Sequence, residues 1–200
     1  MGEVDRVLRE ARAPEGVVEE AVRRLTAAAE ADVDVAFAET DSPFGRLLVA
    51  VTPRGLVRLA YPNEAPDDVL DELARRLSPR VLRSARRLDP VRRQLDEYFE
   101  RRRRRFDVSV DWAMTGGFVR KVLRATARIP YGDVRSYREV ARRAGNARAT
   151  RAAGNALGSN PIPIVVPCHR VVRSGGGLGG YTGGIERKEF LLELEGANVP

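Results

Sequence analysis

Apolar and polar positions change rhythm repeatedly along this chain, and each change predicts a new element. Residues 4–31 place Val17-Val18, Val22, Leu25 and Ala28 among charged neighbours at helical spacing, which predicts one or two amphipathic helices. From Val33 the rhythm shortens to strands at Val33–Ala38, Arg46–Thr52 and Gly55–Tyr61. Ser42-Pro43-Phe44-Gly45 and Pro53-Arg54-Gly55 supply the turns between them. Helices are expected over 66–78 and 90–104, the second carrying Leu95, Tyr98 and Phe99, and Phe106–Val110 reads as a short strand.

After Met114-Thr115-Gly116-Gly117 the pattern becomes helical. Phe118, Val119, Val122 and Leu123 mark one buried face, and Ile129-Pro130-Tyr131-Gly132 stops that helix. Ser136 with Glu139 matches a capping box that opens a helix over Tyr137–Ala144. Gly145-Asn146 ends it, and a second helix follows over Ala147–Leu157. Two short helices around a tight turn suit either a helix-turn-helix or a plain structural hairpin. The second helix is rich in small residues (Ala147, Ala149, Ala152, Ala153, Gly154, Ala156), which fits close packing in a core or in a DNA groove. Arg148 and Arg151 favour the groove. Beyond it, Asn160–Cys168 combines three prolines with an apolar run and reads as a rigid, buried segment. Residues 174–184 form a glycine-rich loop without the pattern of a nucleotide-phosphate loop, better suited to bringing a flat ligand close to the backbone. A helix over Ile185–Glu195 closes the chain.

Charge sharpens this picture. Residues 1–112 hold 21 basic and 22 acidic residues, a net −1, whereas residues 113–200 hold 14 and 6, a net +8. A basic half points to a polyanionic partner, nucleic acid before membrane. The 35 basic residues include only two lysines, which fits an arginine-rich proteome equally well. The run Arg101–Arg105 reads as a solvated helix end. No stretch is long and apolar enough to span a bilayer, and the acidic start lacks the features of a secretory signal. A cytoplasmic location is expected, with no membrane partner.

The only cysteine and the only histidine are adjacent, in Pro167-Cys168-His169-Arg170-Val171. One of each cannot build a metal site, and no second thiol exists for disulfide chemistry. Neither a metal nor a cofactor is expected. What remains is nucleophilic attack by Cys168. Neighbours on an extended strand point to opposite faces, so the pair meets only in a turn or through a water. A base also needs an acid to orient it, and six acids in this half leave that choice open.

Ile164-Val165-Val166-Pro167-Cys168-His169-Arg170-Val171-Val172 resembles the active-site signature of the O6-alkylguanine-DNA alkyltransferases, also called methylated-DNA–protein-cysteine methyltransferases. The resemblance runs from Ile129-Pro130-Tyr131-Gly132 through Ser136-Tyr137, Arg151, Asn160-Pro161 and Cys168 to Tyr181, Gly183-Gly184 and Glu195-Gly196, about 70 residues. The first half is similar only in outline, through Asp41–Gly45, Leu95–Phe99 and Phe106-Asp107. The resemblance implies an α+β protein. A small N-terminal α/β domain with a three-stranded antiparallel, ribonuclease H-like sheet (33–112) would follow a helical extension (1–32). A mostly helical, winged-helix-like domain with a helix-turn-helix (113–200) would bind DNA and accept the alkyl group.

By the same resemblance, Cys168 accepts an alkyl group irreversibly from O6-alkylguanine, with O4-alkylthymine a second candidate lesion. His169 draws the thiol proton through a water, Glu195 orients the imidazole, and Asn160 holds the reactive turn. Tyr137 and Arg151 match the residues that rotate the target nucleotide and fill the gap left by the flipped base, and Arg148 and Ser174 are further DNA contacts. Tyr137, Pro163, Val171, Tyr181, Thr182 and Gly183 line the base pocket. The expected partner is double-stranded DNA carrying the lesion, bound through the minor groove by a monomer. Two departures stand out. Phe118-Val119…Val122-Leu123 replaces the family's frequent Phe-Gln…Val-Trp, and the N-terminal zinc ligands of some members are absent. Two rival classes are a lesion-binding protein without transfer, which would lack the acceptor cysteine, and a cysteine hydrolase, which leaves the basic helix pair unexplained.

Overall fold

The computed structural model describes residues 16–20, 33–175 and 177–199. The helices expected over 4–31, and the extension 1–32 they would form, lie outside these residues except for 16–20, which are helical. Residues 34–200 belong to one unit, built on a sheet and the helices packed against it.

Strands β1 (Val35–Thr40), β2 (Leu47–Thr52) and β3 (Gly55–Ala60) run antiparallel in sequence order, with Phe37 opposite Ala50 and Val49 opposite Leu59. Helix α1 (Pro66–Arg76) then leads to β4 (Val81–Arg83), which joins the far side of β1 in parallel, giving the order β3-β2-β1-β4. The sheet therefore has four strands, one more than expected. β4 is only three residues long and largely exposed, so it carries no alternation to read, and its pairing is set by β1.

Both faces of the sheet are covered, which is why β2 is buried at five of its six positions. On one face Val35, Leu48, Ala50, Val57 and Ala60 pack with Val69 and Leu73 of α1 and with Met114. Alternate residues such as Ala36, Leu47 and Val49 are also buried, and helix α2 (Ala85–Phe99) packs against β1 and β2 through Leu88, Val91, Leu95 and Tyr98. Each large apolar side chain so buried contributes about 1.5–3 kcal/mol.

Helix α2 begins and ends five residues earlier than the expected 90–104. Pro90 suits a first turn, yet here it lies inside the helix. The helix ends where Arg101 turns left-handed at φ 60°, and the amides of Arg102 and Arg103 both donate to the Glu97 carbonyl. The arginine run thus lies beyond the helix rather than on its last turn. Residues 106–110 form no strand. Val110 makes a single bridge to Leu56, while Gln94 Oε1 accepts from the Asp107 amide and Phe106 packs on Tyr98 at 5.2 Å. A side chain takes the Asp107 amide, and only Ser109 and Asp111 pair with the backbone, both at Leu56, so a longer ladder does not form.

The remaining elements are α3 (Gly117–Thr126), β5 (Arg135–Ser136), α4 (Tyr137–Arg143), α5 (Thr150–Gly158), β6 (Val171–Val172) and α6 (Ile185–Leu194). The capping box is formed: the Glu139 amide donates to Ser136 Oγ at 3.2 Å, and the Ser136 amide donates to Glu139 Oε2 at 2.7 Å. Helix α5 starts at Thr150 instead of Ala147, because the Asn146 side chain accepts from the Arg148 amide and holds a separate turn. Arg148 therefore precedes the helix. Ala153, Ala156 and Leu157 bury the inner face of α5, which packs on α3 and α4, while Arg151, Ala152 and Asn155 stay exposed. β5 and β6 pair in parallel and tie the start of α4 to the residues just after Cys168. Among the described residues no helix is long and apolar enough to cross a membrane.

Candidate active site

The reactive segment is anchored from both sides. Leu59 of β3 donates its amide to the Pro161 carbonyl at 2.8 Å, fastening the segment to the sheet edge. Asn160 then organises the turn: its Oδ1 accepts from the Ile162 amide at 3.1 Å and its Nδ2 donates to the Val166 carbonyl at 2.8 Å. The same Nδ2 lies 3.1 Å from Cys168 Sγ. Between them, buried Ile164 adopts φ 71°, a left-handed conformation that costs a β-branched residue about 1–3 kcal/mol and persists only where the surroundings enforce it.

Cys168, His169 and Arg170 form one 3-10 turn. Three residues per turn send successive side chains about 120° apart. His169 and Arg170 are thereby directed to Glu195, at the end of α6. His169 Nε2 lies 3.0 Å from Glu195 Oε1, and Arg170 reaches both carboxylate oxygens at 2.8 Å. The Tyr98 hydroxyl donates to Oε1 at 2.6 Å and the Gly132 amide to Oε2 at 3.2 Å. Burial alone would raise the pKa of Glu195, but the hydrogen bonds from His169 and Arg170 outweigh it and bring the carboxyl down to about 2. An ionised carboxylate only accepts, so His169 Nε2 must carry a hydrogen, and the neutral ring then holds its lone pair on Nδ1. Nδ1 is buried and has no hydrogen-bond partner among the described residues, so the imidazole does not bond Sγ directly. Burial lowers the His169 pKa despite Glu195, which favours the neutral ring.

Burial also raises the pKa of the Cys168 thiol, opposed by the Asn160 hydrogen bond and the nearby Lys188 charge. Lys188 is fully buried; its Nζ donates to the Val171 carbonyl at 2.6 Å and to the Leu178 carbonyl, and burial brings its pKa down to about 8. It ties the glycine-rich loop to β6, beside the sulfur.

Cys168 lines a cavity of about 810 Å³ together with Tyr137, Arg151, Ser174, Tyr181 and Thr182. Pro163 and Gly183 line a second cavity of about 240 Å³, which shares Cys168, Tyr181 and Thr182 with the first. Asn160 also borders the smaller cavity. Val171 is buried in β6, and its carbonyl receives Lys188. Arg148 lies exposed in the turn before α5, outside both cavity walls. The sequence reading missed Tyr98, Arg170, Lys188 and Tyr61. Lys188 had left a signal: one of two lysines in an arginine-rich chain, it falls three residues before Leu191 on a buried helix face.

Two family models match the chain. One, described as the DNA binding domain of 6-O-methylguanine DNA methyltransferase, covers residues 117–197, and the other, its ribonuclease-like domain, covers residues 35–112. The chain is 40% identical over 149 residues to the inducible methylated-DNA–protein-cysteine methyltransferase of Bacillus subtilis, covering 74% of this chain and 82% of that protein. To the methylated-DNA–protein-cysteine methyltransferase of Methanosarcina acetivorans it is 38% identical over 166 residues, covering 80% and 98%. The crystal structure of Mycobacterium tuberculosis O6-methylguanine methyltransferase aligns with a TM-score of 0.69 at 37% identity, covering 83% of this chain and 95% of that one. The complex of the M. tuberculosis protein with DNA aligns with the same score and identity over 80% and 92%.

The pH dependence of folding should report on Glu195. Its folded pKa lies below the unfolded value near 4.5, so its stabilisation is complete above that pH and is lost as pH falls towards about 2. Denaturant titrations should show stability declining through this window. Glu195→Gln should be less stable at pH 7, by about 3–5 kcal/mol if Arg170 is left an unpaired buried charge, yet should decline less steeply in acid.

Proposed function

The chain belongs to the 6-O-methylguanine DNA methyltransferase family, and on that premise we propose that it repairs DNA by moving an alkyl group from O6 of guanine to Cys168. The observation that carries this reading is the single thiol at the wall of an open cavity, with the Asn160 amide on its sulfur and a buried His169–Glu195 pair behind it. A neutral His169 with a bare Nδ1 takes the thiol proton through a water. The sulfur attacks the alkyl carbon, the S–C bond forms as the C–O6 bond breaks, and the electron pair leaves on guanine, which gains a proton. Glu195 stays ionised throughout and steadies the imidazole as it becomes charged. The thioether has no second thiol to reverse it, so each molecule acts once.

The target base must leave the stack to meet a thiol held in a pocket. Exposed Arg151, Ala152 and Asn155 suit the outer face of α5 to a groove, and the small residues of that helix favour the minor groove, where sequence is read only coarsely. In this reading Arg151 fills the space the base vacates. Tyr137 turns the nucleotide, and Tyr181 and Thr182 flank the base. Arg148 and Ser174 meet the backbone from the rim. Residues 113–200 carry the net +8 that favours DNA, while residues 33–112 brace the reactive segment through Leu59. The protein acts as a monomer in the cytoplasm, without metal or cofactor. A cysteine hydrolase would turn over repeatedly, and a binding protein would leave Cys168 unmodified.

Mass spectrometry separates these readings. One equivalent of duplex containing O6-methylguanine should add one methyl to the protein, on Cys168, and end its activity, whereas Cys168→Ala should bind the duplex and gain no mass. Continued demethylation beyond one equivalent, or an unmodified Cys168, would overturn transfer. For Arg151, the Arg151→Ala variant should slow transfer from duplex DNA tenfold or more while leaving reaction with free O6-benzylguanine nearly unchanged. Flipping costs a few kcal/mol, and about 1.4 kcal/mol is a tenfold rate factor. Equal slowing on both substrates would assign Arg151 to the chemistry or the fold instead.

A further inference from the structure

Tyr61 follows β3, in the half of the chain that the sequence assigns no part in the chemistry. Its hydroxyl nevertheless lies 2.7 Å from that of Tyr181. Tyr61 lines the smaller cavity and not the larger, whereas Tyr181 and Cys168 border both. The phenol pair thus stands at the wall between the two, beside the sulfur.

The placement of Tyr61 is heavily determined. Its amide donates to Glu64 Oε1 at 3.2 Å, its carbonyl accepts from the Glu64 amide at 3.0 Å, and Glu64 is itself paired with buried Arg58. The Arg187 guanidinium sits 4.9 Å above the ring while bonding Asn63 Oδ1 at 2.8 Å and the Gly183 carbonyl. A side chain at Gly183 would come within 2.7 Å of Tyr61 and 2.9 Å of Tyr181, so the absence of a Cβ there is what lets the two rings meet. Only 4% of Tyr61 is exposed, so its hydroxyl has no ready exchange with bulk water and depends on Tyr181.

Hydrogen-bond direction gives the pair a consequence. Each phenol has one hydrogen, and their mutual bond uses one of the two. A thiolate can only accept, so Tyr181 can serve the sulfur only if its own oxygen accepts from Tyr61. We propose that Tyr61 is a positioning residue for alkyl transfer: its hydroxyl donates to Tyr181 and thereby commits the Tyr181 hydrogen to the Cys168 thiolate. Tyr181 and Cys168 border the same two cavities, which keeps the phenol on the sulfur's side of the site. Bonds in such a chain strengthen one another. The chain meets the sulfur separately from the His169–Glu195 pair, so one route removes the proton and the other stabilises the charge left behind. The proposal rests on Cys168 being the acceptor.

The test uses Tyr61→Phe in the full-length protein, which keeps the ring and removes only the hydroxyl. With one cysteine in the chain, alkylation by iodoacetamide reads the reactivity of Cys168 without DNA. The pH–rate profile of Tyr61→Phe should move up by roughly half a unit, making alkylation about threefold slower at pH 7 and equal to the parent at high pH. Tyr181→Phe should shift the profile at least as far, and adding Tyr61→Phe to it should shift it no further. An unshifted profile, a slowing equal at every pH, or additive shifts in the double variant would each overturn the proposal. Failure of the parent protein to gain methyl from O6-methylguanine duplex would instead remove the alkyl-transfer reading, and the iodoacetamide profiles remain interpretable without it.

Discussion

A single buried carboxylate holds the site together. Glu195 gathers Tyr98 from α2, Gly132 from the turn after α3, and both His169 and Arg170 from the reactive turn. Burying an ion in low dielectric is costly, and its attraction to a partner repays that cost only when geometry and further hydrogen bonds are good. Here both oxygens are occupied by donors from distant parts of the chain, so the charge is tolerable only once the fold is complete. Folding and the assembly of the buried His169–Glu195 pair are therefore one event. The same carboxylate sets the imidazole orientation, and so which nitrogen holds a lone pair.

The sulfur itself lies in a contrary environment. Burial raises its pKa, so at rest it is a thiol rather than a standing thiolate. A thiol held this way reacts slowly with general alkylating agents, and in the proposed reading the base and the lesion together bring it into fast reaction. That suits a reagent that is consumed once. The strained φ of Ile164 and the clasp of Asn160 belong to the same logic, since they fix the turn that presents Cys168 to the cavity while directing its neighbours inward.

Local chemistry was legible in the sequence, and distant pairing was not. The capping box at Ser136 and Glu139 is written in two residues three apart and forms as read. The helices of the second half lie within three residues of their expected bounds, because apolar spacing and glycine stops determine them. The strand expected at 106–110 shrinks to one bridge because Gln94 and Tyr98, which hold the Asp107 amide and the Phe106 ring, sit on a preceding helix. Pro90 misled the start of α2 for a related reason, as packing of Leu88 and Val91 on the sheet extends the helix through it. Tyr98 and Tyr61 meet their partners 97 and 120 residues away, and nothing in their own neighbourhoods distinguishes them from core aromatics. Cys168 and His169 stood out on composition alone, whereas Glu195 and Asn160 entered through the family resemblance.

The protein has one histidine, so nitrogen NMR of histidine-labelled material gives a single, unambiguous spin system. Because Glu195 accepts from Nε2, the ring should be neutral at pH 7 with hydrogen on Nε2 and a bare Nδ1. Its titration midpoint should lie below the ordinary value near 6.5, since burial disfavours the charged ring. A hydrogen found on Nδ1 of the neutral ring, or a midpoint at or above 6.5, would contradict the carboxylate-held imidazole on which the proposed chemistry depends.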